Sequence, residues 1–133
     1  MRPETYYAYY DGYARGLVEY ACRQSKTISY SYVNVNLFRT LKEIEEHTKQ
    51  KLPRKALVPC EMSLSEKLEA WMGKNDVVEM MERHFGKCEK IMEIEDDAFF
   101  DSADNWAIFY ITEDMFLAKF REFYLLFTLG NWE

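Results

Sequence analysis

Several kinds of residue are scarce in this 133-residue chain, and each scarcity narrows the class of protein to which it belongs. The three cysteines, Cys22, Cys60 and Cys88, are odd in number and widely spaced. They therefore do not form a disulfide framework, and they indicate a reducing compartment. No window of 18 apolar residues occurs, and the first residues lack the apolar stretch of a signal peptide. We therefore expect a cytoplasmic protein without membrane contact.

Glycine and histidine are also scarce, which argues against most catalytic and cofactor sites. None of the five glycines belongs to a P-loop, a G-x-G-x-x-G turn or a nucleophile elbow. The two histidines, His47 and His84, have no partners at zinc-site spacing, because Gly86 interrupts the helical path from His84 to Cys88. We therefore expect no catalytic residue, no metal ion and no cofactor, and a protein that is not an enzyme.

Charge is abundant but unevenly distributed. The net charge of −6 disfavours direct binding to nucleic acid or to an anionic membrane. Residues 23–55 have eight basic and three acidic side chains, whereas residues 89–104 have seven acidic side chains and one lysine. This asymmetry would suit either two copies that pair through opposite charges or an acidic surface that binds a basic partner.

Hydrophobic periodicity predicts an α+β fold, with residues 1–133 forming a single globular domain. We expect a small, mostly antiparallel sheet of three to four strands packed with about five helices, in the order α-β-α-(β)-α-α-β-β-α. Alternating apolar residues predict strands at 27–35, 89–95 and 105–112, with a short edge strand at 56–58. Helical spacing predicts helices at 4–23, 37–50, 65–72, 77–85 and 113–129, the second of them capped by Asn36.

The C-terminal third of the chain gives the two strongest structural predictions. Residues 105–112 are apolar on both faces, so we expect this strand at the centre of the sheet and paired with 89–95 in a hairpin. The last helix rests on phenylalanines that recur at intervals of 4, 3 and 4 residues, namely Phe116, Phe120, Phe123 and Phe127.

Aromatic residues make up 17% of the chain, and tyrosine is the commonest of them. Tyr and Trp are enriched at protein interfaces. In the first predicted helix a tyrosine stripe recurs at the period of one helical face. A homodimer could form through this face, with Tyr6, Tyr10, Tyr13 and Tyr20 as the contact residues.

The stretch between the two predicted hairpin strands has the densest negative charge, interleaved with aromatic residues. Carboxylates spaced along a loop can imitate the phosphates of nucleic acid, while aromatic rings can provide the buried anchors of an interface. The simpler interpretation is that the rings tuck under a solvated loop. On the first interpretation the partner-binding residues are Glu93, Glu95, Asp96, Asp97, Phe99, Phe100, Asp101, Asp104 and Trp106.

These features predict a non-catalytic, protein-binding inhibitor whose acidic surface acts as a nucleic-acid mimic. It would engage the basic groove of a nucleic-acid-handling enzyme or complex. In size, acidity, aromatic content and lack of catalytic motifs, the chain resembles toxin-immunity proteins and the anti-defence proteins of phages, which are viral proteins. Two alternatives stay open. One is a small metal- or Cys-dependent enzyme, using His84 with Cys88 or Glu93 with Glu95; the other is a structural, homodimeric interaction module.

Overall fold

A computed structural model of the chain describes residues 3–24, 31–49, 51–72, 76–95 and 110–132. Within these residues the fold is α+β, as the sequence predicts, with four helices packed on a five-stranded antiparallel sheet. The helices are α1 (Pro3–Gln24), α2 (Leu41–Thr48), α3 (Leu64–Met72) and α4 (Asp76–Phe85), and a 3-10 turn covers Arg54–Ala56. The strands are β1 (Ser31–Phe38), β2 (Leu57–Cys60), β3 (Lys90–Ile94), β4 (Tyr110–Lys119) and β5 (Tyr124–Trp132).

The strand order is β1-β5-β4-β3-β2, and each strand is antiparallel to its neighbours. β4 is therefore the central strand. The strand predicted at 105–112 overlaps it at 110–112, and the preceding five residues lie outside the described part of the chain. β3 is antiparallel to β4, but it pairs with residues 116–119, which lie beyond the strand predicted at 105–112 and within the predicted C-terminal helix. The two strands are therefore neighbours as predicted, but the predicted register is wrong. The predicted edge strand is confirmed, because β2 lies at one edge of the sheet, where the missing N–H of Pro59 is tolerated.

The prediction of a C-terminal helix over 113–129 is wrong, because these residues form most of a β-hairpin. Phe116 in β4 pairs with Phe127 in β5, and the two rings stack with their centroids 4.8 Å apart. At the turn, the N–H of Phe120 donates to the carbonyl of Phe123 at 2.9 Å. The described chain consequently has four helices and five strands instead of about five and three to four.

The helix predicted over 37–50 is shorter than expected. α2 starts at Leu41, because Thr40 caps it in place of Asn36 and accepts a hydrogen bond from the N–H of Glu43 at 3.2 Å. The first two residues of the predicted helix instead continue β1. The strand predicted at 27–35 is seen from residue 31 onward, and its earlier residues lie outside the described part.

The other three helices confirm the sequence-based predictions within one or two residues. α1 and α4 cover the expected segments. α3 begins with a reciprocal pair of hydrogen bonds: the hydroxyl of Ser63 accepts from the N–H of Glu66, and the carboxylate of Glu66 accepts from the N–H of Ser63. This capping box satisfies two N–H groups that a helix start otherwise leaves unpaired.

Both faces of the sheet are buried at its centre. One face, which includes Phe116 and Phe127, packs against α1, α3 and α4. The other face, which includes Leu117 and Leu126, packs against α2. In β4 and β5 every side chain at 115–118 and 125–128 is buried. The β4–β5 hairpin thus contributes buried side chains to two hydrophobic clusters, one on each face of the sheet.

Removal of the Phe116 ring should strongly destabilise the fold. The Phe116→Ala substitution leaves a cavity beside Phe127 in a fully buried position, and we expect a loss of about 3–5 kcal/mol in the free energy of unfolding. Tyr20 is 62% exposed, so Tyr20→Ala should change the free energy of unfolding by less than about 1 kcal/mol. Urea denaturation followed by circular dichroism measures both, and similar losses in the two variants would contradict this packing.

Candidate functional site

Two of the nine predicted partner-binding residues lie within the described part of the chain. Glu93 is in β3 and is partly buried, while Glu95 follows the strand and is exposed. The N–H of Glu95 donates to the carbonyl of Ala56 at 2.8 Å, which extends the β2–β3 pairing by one residue. The seven predicted residues outside the described part are Asp96, Asp97, Phe99, Phe100, Asp101, Asp104 and Trp106.

The stretch that contains these residues is here named the acidic segment (residues 95–106). In the sequence it lies between two strands of the sheet, β3 and β4. It follows β3 directly and leads into β4 through residues 107–109. Because β3 and β4 pair in antiparallel fashion from Lys90↔Lys119 to Glu93↔Phe116, the segment connects neighbouring strands of one sheet. Its described attachment points are therefore fixed by backbone hydrogen bonds.

A buried ion pair, which was not predicted from the sequence, lies behind the start of the acidic segment. The side chain of Lys67 in α3 is only 7% exposed, and its Nζ lies 2.5 Å from Oε1 of Glu93. The thiol of Cys60 donates a hydrogen bond to the same oxygen at 3.7 Å. The Nζ of Lys67 also lies 5.5 Å from the centre of the Phe116 ring. Lys67 therefore ties α3 to the strand from which the acidic segment departs.

The sequence does contain a signal for this ion pair. Lys67 falls at the helical spacing of the buried residues Leu64 and Leu68, so a lysine occupies an otherwise apolar stripe. A lysine in such a position requires a partner, because an unpaired buried charge is costly. The partner itself lies 26 residues away, and periodicity does not identify it.

The pKa values of the two carboxylates near Lys67 are shifted in opposite directions. The hydrogen bond from Lys67 holds the pKa of Glu93 below its usual range. Burial raises the pKa of Asp114 in β4, although the N–H of Met115 donates to its carboxylate at 2.8 Å. Glu93 is thus the main counter-charge of Lys67, and Asp114 is a carboxylate that the fold holds in an unfavourable environment.

The residue pairs proposed for an enzyme have other contacts in the structure. The ring of His84 stacks on Tyr13, with centroids 4.3 Å apart. Burial raises the pKa of the Cys88 thiol to about 11, which disfavours the nucleophilic thiolate. In the described ranges no three His, Cys, Asp or Glu side chains come together as metal ligands. That alternative therefore gains no support from this part of the molecule.

The predicted dimer face divides into residues packed within the chain and one exposed residue. Tyr10 contacts Phe85 and Phe123, with ring centroids 4.9 and 5.8 Å away. Tyr6 lies against Tyr10, and Tyr13 packs against the same cluster as Phe85. Only Tyr20 in this set is largely exposed, at 62%. Dimerisation through this face stays a prediction.

Comparisons with family models, with curated proteins and with solved structures found no match. Among the described residues, no helix has the length and apolar character needed to cross a membrane. The contacts and charges of the chain itself are therefore the basis for assigning its function.

The Glu93→Gln substitution should test the buried ion pair. It leaves the Lys67 charge buried without its counter-charge, and we expect a loss of about 1–3 kcal/mol in unfolding free energy at pH 7. This is less than for a fully buried pair, because the Glu93 side chain is 39% exposed to water. Glu89→Gln breaks the exposed 3.9 Å pair with Lys119 and should cost less than about 0.5 kcal/mol. Equal losses in urea denaturation would rule out the anchoring role of Lys67.

The same pair predicts a dependence of stability on pH. Because the folded pKa of Glu93 is lowered, its contribution is complete above the unfolded value of roughly 4.3. It is lost as the pH falls through the lowered folded pKa. The wild-type chain should therefore progressively lose its advantage over Glu93→Gln as the pH falls below that unfolded value. Asp114, whose folded pKa is raised, acts in the opposite sense, so Asp114→Asn serves as a comparison. A constant difference between wild type and Glu93→Gln from pH 7 to 3 would contradict the assignment.

Proposed function

We propose that this chain is a non-catalytic inhibitor that binds another protein through its acidic segment. The partner surface is a groove rich in lysine and arginine that belongs to a nucleic-acid-handling enzyme or complex. The observation that supports this proposal is the anchoring of the chain where the acidic segment begins. Glu93, two residues before Glu95, pairs with Lys67, and the N–H of Glu95 donates to the carbonyl of Ala56.

Anchoring favours binding because ordering a free loop on a partner loses conformational entropy, and a segment fixed at its ends loses less. On the described side, Glu93 is immobilised between Lys67 and the thiol of Cys60. At the other end, β4 pairs with β5 from its first residue, Tyr110. The strands that precede and follow the segment, β3 and β4, are therefore both held in the sheet by backbone pairing.

The charge of this region favours a basic partner. Residues 89–104 have seven carboxylates and one lysine. Within the described part, Lys67 is matched by Glu93, and the exposed Glu95 forms no ion pair in it, so its charge is available to a partner. A surface of this kind accelerates association with a positively charged groove and disfavours acidic partners.

Carboxylates alone provide steering and specificity more than affinity, so the interface also needs apolar anchors. The acidic segment contains three aromatic residues that could fill this role: Phe99, Phe100 and Trp106. Acidic groups in the place of phosphates and rings in the place of bases would make the segment a mimic of single-stranded nucleic acid. Inhibitors of this type act in phage anti-defence and in toxin immunity, and we propose such a role for this chain.

A charge reversal at Asp96 and Asp97 should abolish partner binding. The immobilised chain is used to capture proteins from an extract of the cells in which it acts, and zero-length carbodiimide crosslinking then joins its carboxylates to lysines of the captured protein. We expect crosslinks within residues 95–106, displacement of the captured protein by competing single-stranded DNA, and loss of capture in Asp96→Lys/Asp97→Lys, since like charges then face each other.

The matched control reverses two acidic residues elsewhere. Glu61 and Glu69 are exposed and lie outside the acidic segment, so Glu61→Lys/Glu69→Lys changes the net charge equally. This variant should retain capture within about twofold, because rim charges away from an interface contribute little. If both double variants lose capture equally, binding depends only on the overall charge of the chain. If neither double variant loses capture, the acidic segment is not the binding surface.

A further inference from the structure

The cations whose side chains the structure describes fall into two groups. Those in the first group have an ion pair or a ring contact: Arg15, Arg39, Lys67, Arg83 and Lys119. Those in the second group have no such partner within the described residues, and three of them lie near the start of β3 and the β4–β5 turn: Lys87, Lys90 and Arg121. The other five lie close together in sequence: Lys42, Lys49, Lys51, Arg54 and Lys55. The larger set of cations without partners therefore lies in one region.

Four of these cations belong to one loop between α2 and β2, here named the basic loop (residues 49–55). It has no acidic residue, so its formal charge is +4. Each of these side chains is exposed. Lys42 extends the positive surface, since it lines a groove of about 210 Å³ together with Lys49 and Lys51. A compact positive surface thus exists on a chain whose net charge is −6.

Hydrogen bonds hold the basic loop at Lys49, at Leu52 and at its end. Lys49 has a left-handed conformation (φ 58°), and its N–H bonds to the carbonyl of Glu45. The Glu45 carboxylate accepts the N–H of Leu52 at 2.6 Å, and Leu52 is buried. At its end, the N–H of Ala56 donates to the carbonyl of Pro53 at 2.9 Å. The cations therefore project from a rigid support, and one nearby carboxylate is engaged by the backbone.

The loop has charge but no apolar anchor. Its leucine is buried, and the exposed large hydrophobic residues of the described part all lie elsewhere: Tyr9, Tyr20, Met62 and Met80. A specific protein interface needs buried anchors, whereas binding to a phosphate backbone needs only cations that displace counterions. We propose that the basic loop binds the sugar–phosphate backbone of nucleic acid without reading its sequence.

This surface consists of other residues than the acidic segment, although the two are neighbours through the Glu95–Ala56 hydrogen bond, and it does not depend on the function proposed above. The net charge of the chain led to the expectation of no direct nucleic-acid contact. At 0.1 M salt, however, exposed charges more than about 10 Å apart are largely screened, so the local charge decides. Glu46, which is exposed and lines the same groove, is the carboxylate that should weaken binding most directly.

Fluorescence anisotropy with a labelled 20-base-pair duplex DNA of random sequence tests the proposal, using the full chain in 20–150 mM KCl. Each phosphate contact contributes about 0.9 to the slope of log affinity against log salt. Lys51→Gln/Arg54→Gln/Lys55→Gln should therefore flatten the slope by about 2.7. It should also weaken binding at least tenfold at 20 mM KCl, while Glu46→Gln should strengthen binding about twofold, since it removes a repelling charge.

The control is Lys87→Gln/Lys90→Gln/Arg121→Gln, which removes the same charge from exposed sites outside the basic loop. It should keep the affinity within about twofold and leave the slope unchanged. Thermal melts confirm that each variant folds. Absence of binding at 20 mM KCl, equal weakening by the two triple variants, or equally tight binding of a polyglutamate of matched charge would overturn the proposal. Asp96→Lys/Asp97→Lys should still bind the duplex, so failure here and failure of the proposed inhibitor function remain distinguishable.

Discussion

Burial of the β4–β5 hairpin on both faces is the constraint on which the rest of the structure depends. A strand covered on one face leaves the other to water, but Phe116 and Leu117 are neighbours on opposite faces and both are fully buried. Each face therefore needs its own cover. α1, α3 and α4 supply one cover, and α2 with the basic loop supplies the other through Ile44 and Leu52. β1 then pairs with β5, and β3 pairs with β4, so that the hairpin has a neighbouring strand on each side.

The error over 113–129 has a geometric cause that is specific to this segment. Intervals of 4, 3 and 4 residues describe one face of a helix, but they are also symmetric about the midpoint between Arg121 and Glu122. A hairpin that turns at this midpoint places Phe116 opposite Phe127, as observed. The turn has none of the Gly, Pro, Asn or Asp residues that usually indicate one. Its only distinguishing signal is that the adjacent residues Arg121 and Glu122 are both charged and lie between phenylalanines.

Elements whose pattern fits one period could be predicted well from the sequence. α1 and α4 show a single helical stripe, and in β3 the alternation of Ile91 and Met92 matches the two buried faces. The predicted start of α2 is wrong because Leu37 and Phe38 fit both a strand end and a helix start. Their pairing with Leu125 and Tyr124 of β5, and the hydrogen bond from the Leu37 N–H to Asp11 of α1, decide between the two. Distant contacts of this kind leave no local signal.

The candidate site shows the same division between local and distant information. Charge density along the chain is local, so Glu93 and Glu95 could be proposed from the sequence. The ion pair with Lys67 joins residues that are far apart in sequence, and it changes the role assigned to Glu93. This residue contributes mainly to holding the start of the acidic segment, because its charge is matched inside the protein. Glu95 and the residues that follow it are then the better candidates for direct contact with a partner.

The two charged surfaces meet where β2 and β3 pair. The hydrogen bond from Glu95 to Ala56 places the end of the basic loop beside the beginning of the acidic segment. The N–H of Lys49 donates to the carbonyl of Glu45, and the N–H of Leu52 donates to its carboxylate, so the basic side has hydrogen bonds of its own that do not involve the acidic segment. If both surfaces bind as proposed, net charge is a poor guide to the partners, because the local fields have opposite signs.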